Sequence, residues 1–201
     1  LEKKLKQAER ENALPKVLIP VHLAGQSCEM EAIAGLAKKY GVKIIEDASH
    51  AIGGSYQNQP VGCCQYSDIT IFSFHPVKII TSAEGGMALT NSDSLAIAMR
   101  RLRSHGIVST EEEMTQPSDG PWYYQQIGLG FNYPMTEMQA ALGLSQLSQL
   151  DQFVEKRNTL AETYDKLFAD VIAITPLQQS TDTYNSYHLY VVRLQGITLQ
   201  Q

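Results

Sequence analysis

The sequence predicts an α/β protein with a mainly parallel sheet, and three observations carry that prediction. Apolar runs at 17–21 and 42–46 flank a helical pattern over 28–40, the strand, helix, strand order of a parallel crossover. Residues 68–74, Asp-Ile-Thr-Ile-Phe-Ser-Phe, are rich in β-branched and aromatic side chains and fit a buried strand. Pro76 stops that strand, since it has no N–H for a ladder, and Lys78 falls in the loop at its carboxyl edge, where open α/β sheets place ligands. Gly85-Gly86 then turn the chain back into a further strand over 87–90.

Taken in order, residues 1–12 read as a solvated helix, rich in lysine and glutamate with leucines at 1 and 5. The strand at 17–21 leads into His22-Leu23-Ala24-Gly25-Gln26, and the helix over 28–40 carries Met30, Ile33, Ala34 and Ala37 on one face before Gly41 ends it. The strand from Val42 closes on Asp47 and His50. Gly53-Gly54 open a small hairpin, Ser55-Tyr56 against Pro60-Val61, turned by 57–59. Ser92 is a candidate N-cap for a helix over 92–105, whose Arg100, Arg101, Arg103 and His105 suit the negative end of the helix dipole before Gly106 better than an anion site. Residues 107–126 have no periodicity and read as a long surface loop ending in Trp122-Tyr123-Tyr124.

Helices over 135–150 and 152–168 follow. Their stripes, Met138, Ala141, Leu142, Leu144 and Leu147 in one and Phe153, Leu160, Tyr164 and Leu167 in the other, read as core. Strands are expected at 171–174 and 187–192, with His188 read as a structural side chain ahead of a sugar-binding one.

Composition narrows the function. With 201 residues the chain can bury a sizeable core in one domain or two small ones. A formal net charge of -5 argues against a nucleic-acid partner, and no apolar run is long enough to span a membrane. The charged opening segment lacks a signal-peptide pattern. Cys28, Cys63 and Cys64 are an odd set without metal-ligand spacing and read as reduced thiols of a cytoplasmic protein.

The chemistry centres on Lys78 and Asp47. A lysine between Val77 and Ile79-Ile80 is partly desolvated, which favours the neutral amine that a Schiff base needs. Taken alone, Lys78 is an ordinary strand-end lysine. Pyridoxal phosphate (PLP), however, needs a lysine for its aldehyde and an acid for its ring nitrogen, and Lys78 and Asp47 at two strand ends could supply both.

The segments 44–51, Ile-Ile-Glu-Asp-Ala-Ser-His-Ala, and 72–78, Phe-Ser-Phe-His-Pro-Val-Lys, followed by Ala83-Glu84-Gly85-Gly86-Met87, resemble the DegT/DnrJ/EryC1/StrS family of sugar aminotransferases. The resemblance runs from Val17 to Arg193 and implies the three-layer α/β/α PLP-transferase fold of aspartate aminotransferase, fold type I. It divides the chain into a PLP-binding large domain at 1–150, its N-terminal part missing, and a linking helix with the start of a small C-terminal domain at 151–201. Family members are roughly twice this long, so the chain resembles the middle of one.

The implied function is PLP-dependent transfer of an amino group, from an amino-acid donor such as glutamate, to a nucleotide-linked keto sugar. The His-Pro-Val-Lys form of the lysine motif resembles enzymes acting on UDP-4-keto-6-deoxy amino sugars for surface glycans. By the same resemblance Lys78 carries the cofactor, Asp47 pairs with its pyridine nitrogen, Ser73 binds its phosphate, and His50, where many members have glutamine, lies by its ring. Asn132 matches an asparagine that reaches the phosphate in the neighbouring subunit of a homodimer with shared sites; Pro134 departs from the usual arginine. An alternative from another class is a non-catalytic dimeric or interaction module, because no glycine- and threonine-containing phosphate turn precedes Val17. A dehydratase of the same family is disfavoured, since those replace the lysine with histidine.

Overall fold

The structure, a computed structural model, describes residues 1–196. The chain opens with helix α1 (Glu2–Arg10) and strand β1 (Val17–Leu18), then α2 (Met30–Tyr40) and β2 (Lys43–Asp47). A hairpin of β3 (Ser55–Tyr56) and β4 (Gln59–Pro60) precedes β5 (Ile69–Ser73) and β6 (Gly86–Leu89). Next come α3 (Asp93–Arg103), β7 (Ile107–Val108), β8 (Gln125–Gln126), α4 (Glu137–Leu147) and α5 (Leu150–Phe168). The described chain ends with β9 (Ile174–Pro176), β10 (Thr183–Tyr184) and β11 (Val192–Leu194).

The central sheet has the order β1-β2-β5-β6. Its first two pairings are parallel and the last is antiparallel, so the expected α/β architecture with a mainly parallel sheet is present. The local signals act as their chemistry requires. Gly41 closes α2 in the left-handed region at φ 67°, and the Ser92 hydroxyl accepts the Leu95 N–H at 3.4 Å to start α3.

Two apolar clusters lie on this framework. The first joins Met30, Ala37 and Tyr40 of α2 to Val42 and Ile44, and it also takes in Leu5. Helix α1 is therefore docked rather than merely solvated, because Leu5 is only 2% exposed, worth about 1.5–3 kcal/mol of transfer free energy. The second cluster gathers Ala48, Ala51, Phe72, Phe74, Ile79, Ile80 and Val154 around the carboxyl ends of β2 and β5.

Several expected elements shift. The hairpin pairs Ser55 with Pro60 and Tyr56 with Gln59, one residue tighter than expected, because Gln57 and Asn58 at φ 49° and 62° form a two-residue loop of the primed kind. The loop 107–126 is clasped at its base by the β7–β8 pair and by an Arg101–Glu113 ion pair at 2.9 Å. The apolar stripe of α4 is not core: Met138 is 82% and Leu144 69% exposed, and no residue of that helix is buried. In α5 the buried positions are Val154 and Ala161, while Leu160, Tyr164 and Leu167 face outward. The strands expected at 171–174 and 187–192 form instead as β9 and β11, and residues 185–188 become an irregular strap.

Candidate active site

Asp47 ends β2 with its backbone fully engaged: its N–H donates to Pro20 O at 2.9 Å and its carbonyl accepts the His22 N–H at 3.0 Å. Its side chain accepts the Ser49 N–H at 3.1 Å. Strand alternation sends the preceding residue to the opposite face. There Glu46 lies 2.7 Å from His22 Nε2 and also takes hydrogen bonds from Ser67 and Thr70. His22 is thereby spent on structure: both it and Glu46 are buried, and its Nδ1 accepts the Cys28 N–H at 3.2 Å.

Lys78 sits in a loop that the end of β5 folds back on itself. Phe74 N–H donates to Gly85 O at 2.9 Å, Ser82 N–H donates to Phe74 O at 3.0 Å, and Lys78 N–H donates to His75 O at 3.0 Å. Gly86 is required where the chain returns, since a Cβ there would meet Phe72 O at 2.8 Å. Ile79 and Ile80 are buried in the second cluster, whereas Val77 is exposed, so Lys78 is rooted in apolar packing on one side only. Ser73, the last residue of β5, accepts the His75 N–H at 3.4 Å.

The two strand ends converge. Burial works against the Asp47 carboxylate, but the Ser49 hydrogen bonds and the His50 and Lys78 charges outweigh it and hold its pKa below the usual range. His50 is pushed below its ordinary value by burial and by the Lys78 charge, with Asp47 opposing. Asp47 and His50 thus each feel the Lys78 charge, and Asp47 ends β2 beside β5, the strand that leads into the Lys78 loop. Asn132 is elsewhere in kind: it is exposed and bridges to Ser104, between Phe131 and Tyr133, whose rings stack 4.9 Å apart. Pro134 is exposed beside it.

His188 is the residue that sequence reasoning set aside. Its ring lies 4.4 Å from that of His50, and burial together with His50, Lys78 and Arg157 pushes its pKa down to about 4. Its Nδ1 is buried with no hydrogen-bond partner. Nothing in the local pattern around His188 signals this, because the contact spans the chain from the end of β2 to the strap.

A sequence profile described as the DegT/DnrJ/EryC1/StrS aminotransferase family matches residues 2–200. The chain belongs to that family. Among relatives, it is 38% identical over 190 residues to the UDP-4-amino-4,6-dideoxy-N-acetyl-beta-L-altrosamine transaminase of Campylobacter jejuni, which covers 94% of this chain and 46% of that protein. Among solved structures, Helicobacter pylori PseC, an aminotransferase involved in the biosynthesis of pseudoaminic acid, matches with a TM-score of 0.84 at 35% identity, over 98% of this chain and 49% of that one. The PLP-form of Streptococcus pneumoniae Spr1654 matches with a TM-score of 0.79 at 30% identity, over 93% of this chain and 50% of the other. The expected PLP-transferase fold is therefore borne out, and this family member spans about half the length of the relatives it matches.

The donor set fits the cofactor that the family implies. A carboxylate kept ionised ends β2, a serine ends the adjacent β5 ahead of the Lys78 amine, two imidazoles lie 4.4 Å apart, and the unpartnered His188 Nδ1 adds unspent hydrogen-bonding capacity. No described helix is long and apolar enough to cross a membrane, and no metal-holding cluster of His, Cys, Asp or Glu occurs among the described residues.

Proposed function

We propose that this chain is the central portion of a PLP-dependent aminotransferase that moves an amino group, with glutamate as donor, to a nucleotide-linked 4-keto-6-deoxy sugar for surface-glycan biosynthesis. The observation that supports the reading is that Asp47 ends β2 beside the parallel strand β5, whose following loop carries Lys78, with the Lys78 charge felt at both Asp47 and His50. The sugar class is supported by likeness to a transaminase named for a UDP-linked amino sugar. Residues 1–150 would then supply the cofactor-binding domain, and 151–201 the linking helix and the start of a smaller one. A cytoplasmic setting is supported by three free cysteines, Cys28, Cys63 and Cys64.

PLP, when bound, supplies an aldehyde that condenses with amines and a ring that draws electron density from the carbon being deprotonated. Lys78 Nζ would hold the cofactor and, when free, would take a proton from the substrate carbon and later return one. The Asp47 carboxylate, held below its usual pKa and so ionised at neutral pH, would keep a proton on the ring nitrogen. Ser73 would offer its hydroxyl to the phosphate, and His50 would lie near the ring. Ile79, Ile80 and Phe74 keep water from beneath the lysine. Asn132, displayed on the surface, would complete the phosphate site of a second copy in a homodimer.

The test is to add PLP to the purified chain, record its visible absorption, reduce with borohydride and map the label. Label on Lys78 supports the reading. Saturable binding with label confined to other lysines overturns the assignment of Lys78.

A further inference from the structure

The strap at 185–188 is held with more precision than a connecting segment needs. Ser186 Oγ donates to His50 O at 2.9 Å, and Ser186 N–H donates to Gly25 O at 3.2 Å. Asn158 of α5 donates to Asn185 O at 3.0 Å, and Arg157 donates to Tyr187 O at 3.0 Å and to His188 O at 3.4 Å. Tyr187 is kept at φ 47°, a region that costs a side-chain-bearing residue of order 1 kcal/mol or more. Gly25 is required beneath the strap, since a Cβ there would meet Asn185 Oδ1, Ser186 Oγ and Tyr187 N within 2.8 Å.

All of this delivers one side chain. The His188 ring is laid 4.4 Å from the His50 ring at an angle of 37°, with its own Nδ1 left buried and unpaired. On the other side, Ala24 N–H donates to His50 Nδ1 at 3.3 Å. An N–H can donate only to an unprotonated ring nitrogen, so His50 carries its proton on Nε2. Flipping the imidazole would break the Ala24 bond, and tilting it out of its plane is opposed by the His188 ring 4.4 Å away.

We propose that His188 is a positioning residue for the Asp47–Lys78 site, its ring serving as the wall that holds the His50 imidazole in the orientation in which Nδ1 accepts the Ala24 N–H. This rests on reading Asp47, His50 and Lys78 as a cofactor site. The groups facing the pair are Asp47 from the end of β2, Lys78 from the loop after β5, and Arg157 from α5, which faces His188. With two cationic neighbours, Lys78 and Arg157, to one carboxylate, a neutral His50 leaves the Asp47 charge to Lys78 and the cofactor ring.

The experiment is proton NMR titration of His50 in the ligand-free chain, its signal assigned with H50Q, in the unaltered protein and in H188F, H188Q and H188A. His188→Phe keeps an aromatic wall, so the His50 midpoint should remain depressed. His188→Gln and His188→Ala remove the wall, admit water, and should raise the midpoint by about half a pH unit or more. Identical midpoints in all folded variants would overturn the proposal, as would an equal rise in H188F and H188Q. Where H188A does not fold, H188Q and H188F carry the comparison. A second arm measures PLP uptake, which should weaken in H188Q and recover in H188F. If the unaltered chain takes up no PLP at any concentration, the cofactor reading fails, while the ligand-free midpoints still decide the role of His188.

Discussion

Glu46 and Asp47 are consecutive in β2 and do opposite work on opposite faces of the sheet. Glu46 is 6% exposed and pinned to His22 at 2.7 Å, while Asp47 looks toward Lys78 and His50. The buried pair ties the segment after β1 to β2, and that segment presents the Ala24 N–H to His50. One residue thus anchors the scaffold and its neighbour serves the site, an economy available only to the period-two alternation of a strand.

Lys78→Ala should abolish the borohydride-stable adduct while leaving the fold intact, because the Lys78 side chain lies at the rim of the second cluster and its neighbours Ile79 and Ile80 carry the packing. Mass spectrometry of the reduced peptide checks the first half and circular dichroism the second. An adduct that persists in Lys78→Ala would remove this lysine from its assigned role.

Asp47→Asn removes a charge but keeps an oxygen that can accept the Ser49 N–H, now 3.1 Å away. In the full-length enzyme, transamination should fall on the order of 10²-fold or more, the scale of losing one well-placed electrostatic partner. The melting temperature should move by less than about 2–4 °C, the shift that about 1 kcal/mol produces in a chain of this size. A parallel loss of activity and stability would mark Asp47 as structural instead.

Acid should weaken the chain through His188. Its folded pKa, about 4, lies below its ordinary 6.5, so the unfolded chain binds the extra proton between those values. The stabilising contribution of the neutral ring is complete above about pH 6.5 and is lost as the pH falls toward about 4. Urea midpoints at pH 7.5 and pH 4.5 should therefore drop further in the unaltered chain than in H188F, which has no proton to take up there. An equal drop in both would assign the acid sensitivity to other groups.

The outward face of α4 should drive self-association. Met138 and Leu144 are exposed on a helix with no buried residue, and Leu129, 91% exposed, and Tyr133 are uncovered in the segment leading to it. In analytical ultracentrifugation the chain should be dimeric at micromolar concentration, and Leu144→Lys should shift it toward monomer with little change in melting temperature. A monomer at that concentration would sink the homodimer, and a crystal structure with Asn132 far from every symmetry-related Lys78 would sink the shared site.

Much of this protein was determined by residues acting on their immediate neighbours. Gly41 takes the left-handed conformation that ends α2, Ser92 supplies the oxygen that starts α3, and Asp47 and Lys78 fall at strand ends because the apolar runs before them stop there. The second group depended on tertiary structure. Apolar spacing alone cannot say whether a stripe meets its own core or a partner, so the same spacing that suits a core helix leaves the leucines of α4 facing out, and α5 buries Val154 and Ala161 rather than Leu160 and Tyr164. His188 looked like one more alternating position in a strand. Only the docking of the 185–188 strap on Gly25 and His50, across more than 130 residues of chain, placed its ring beside that of His50. Propensity acts over a few residues, whereas a partner that distant is chosen by packing and hydrogen bonding in the folded chain, and the residues themselves carry no local mark of it.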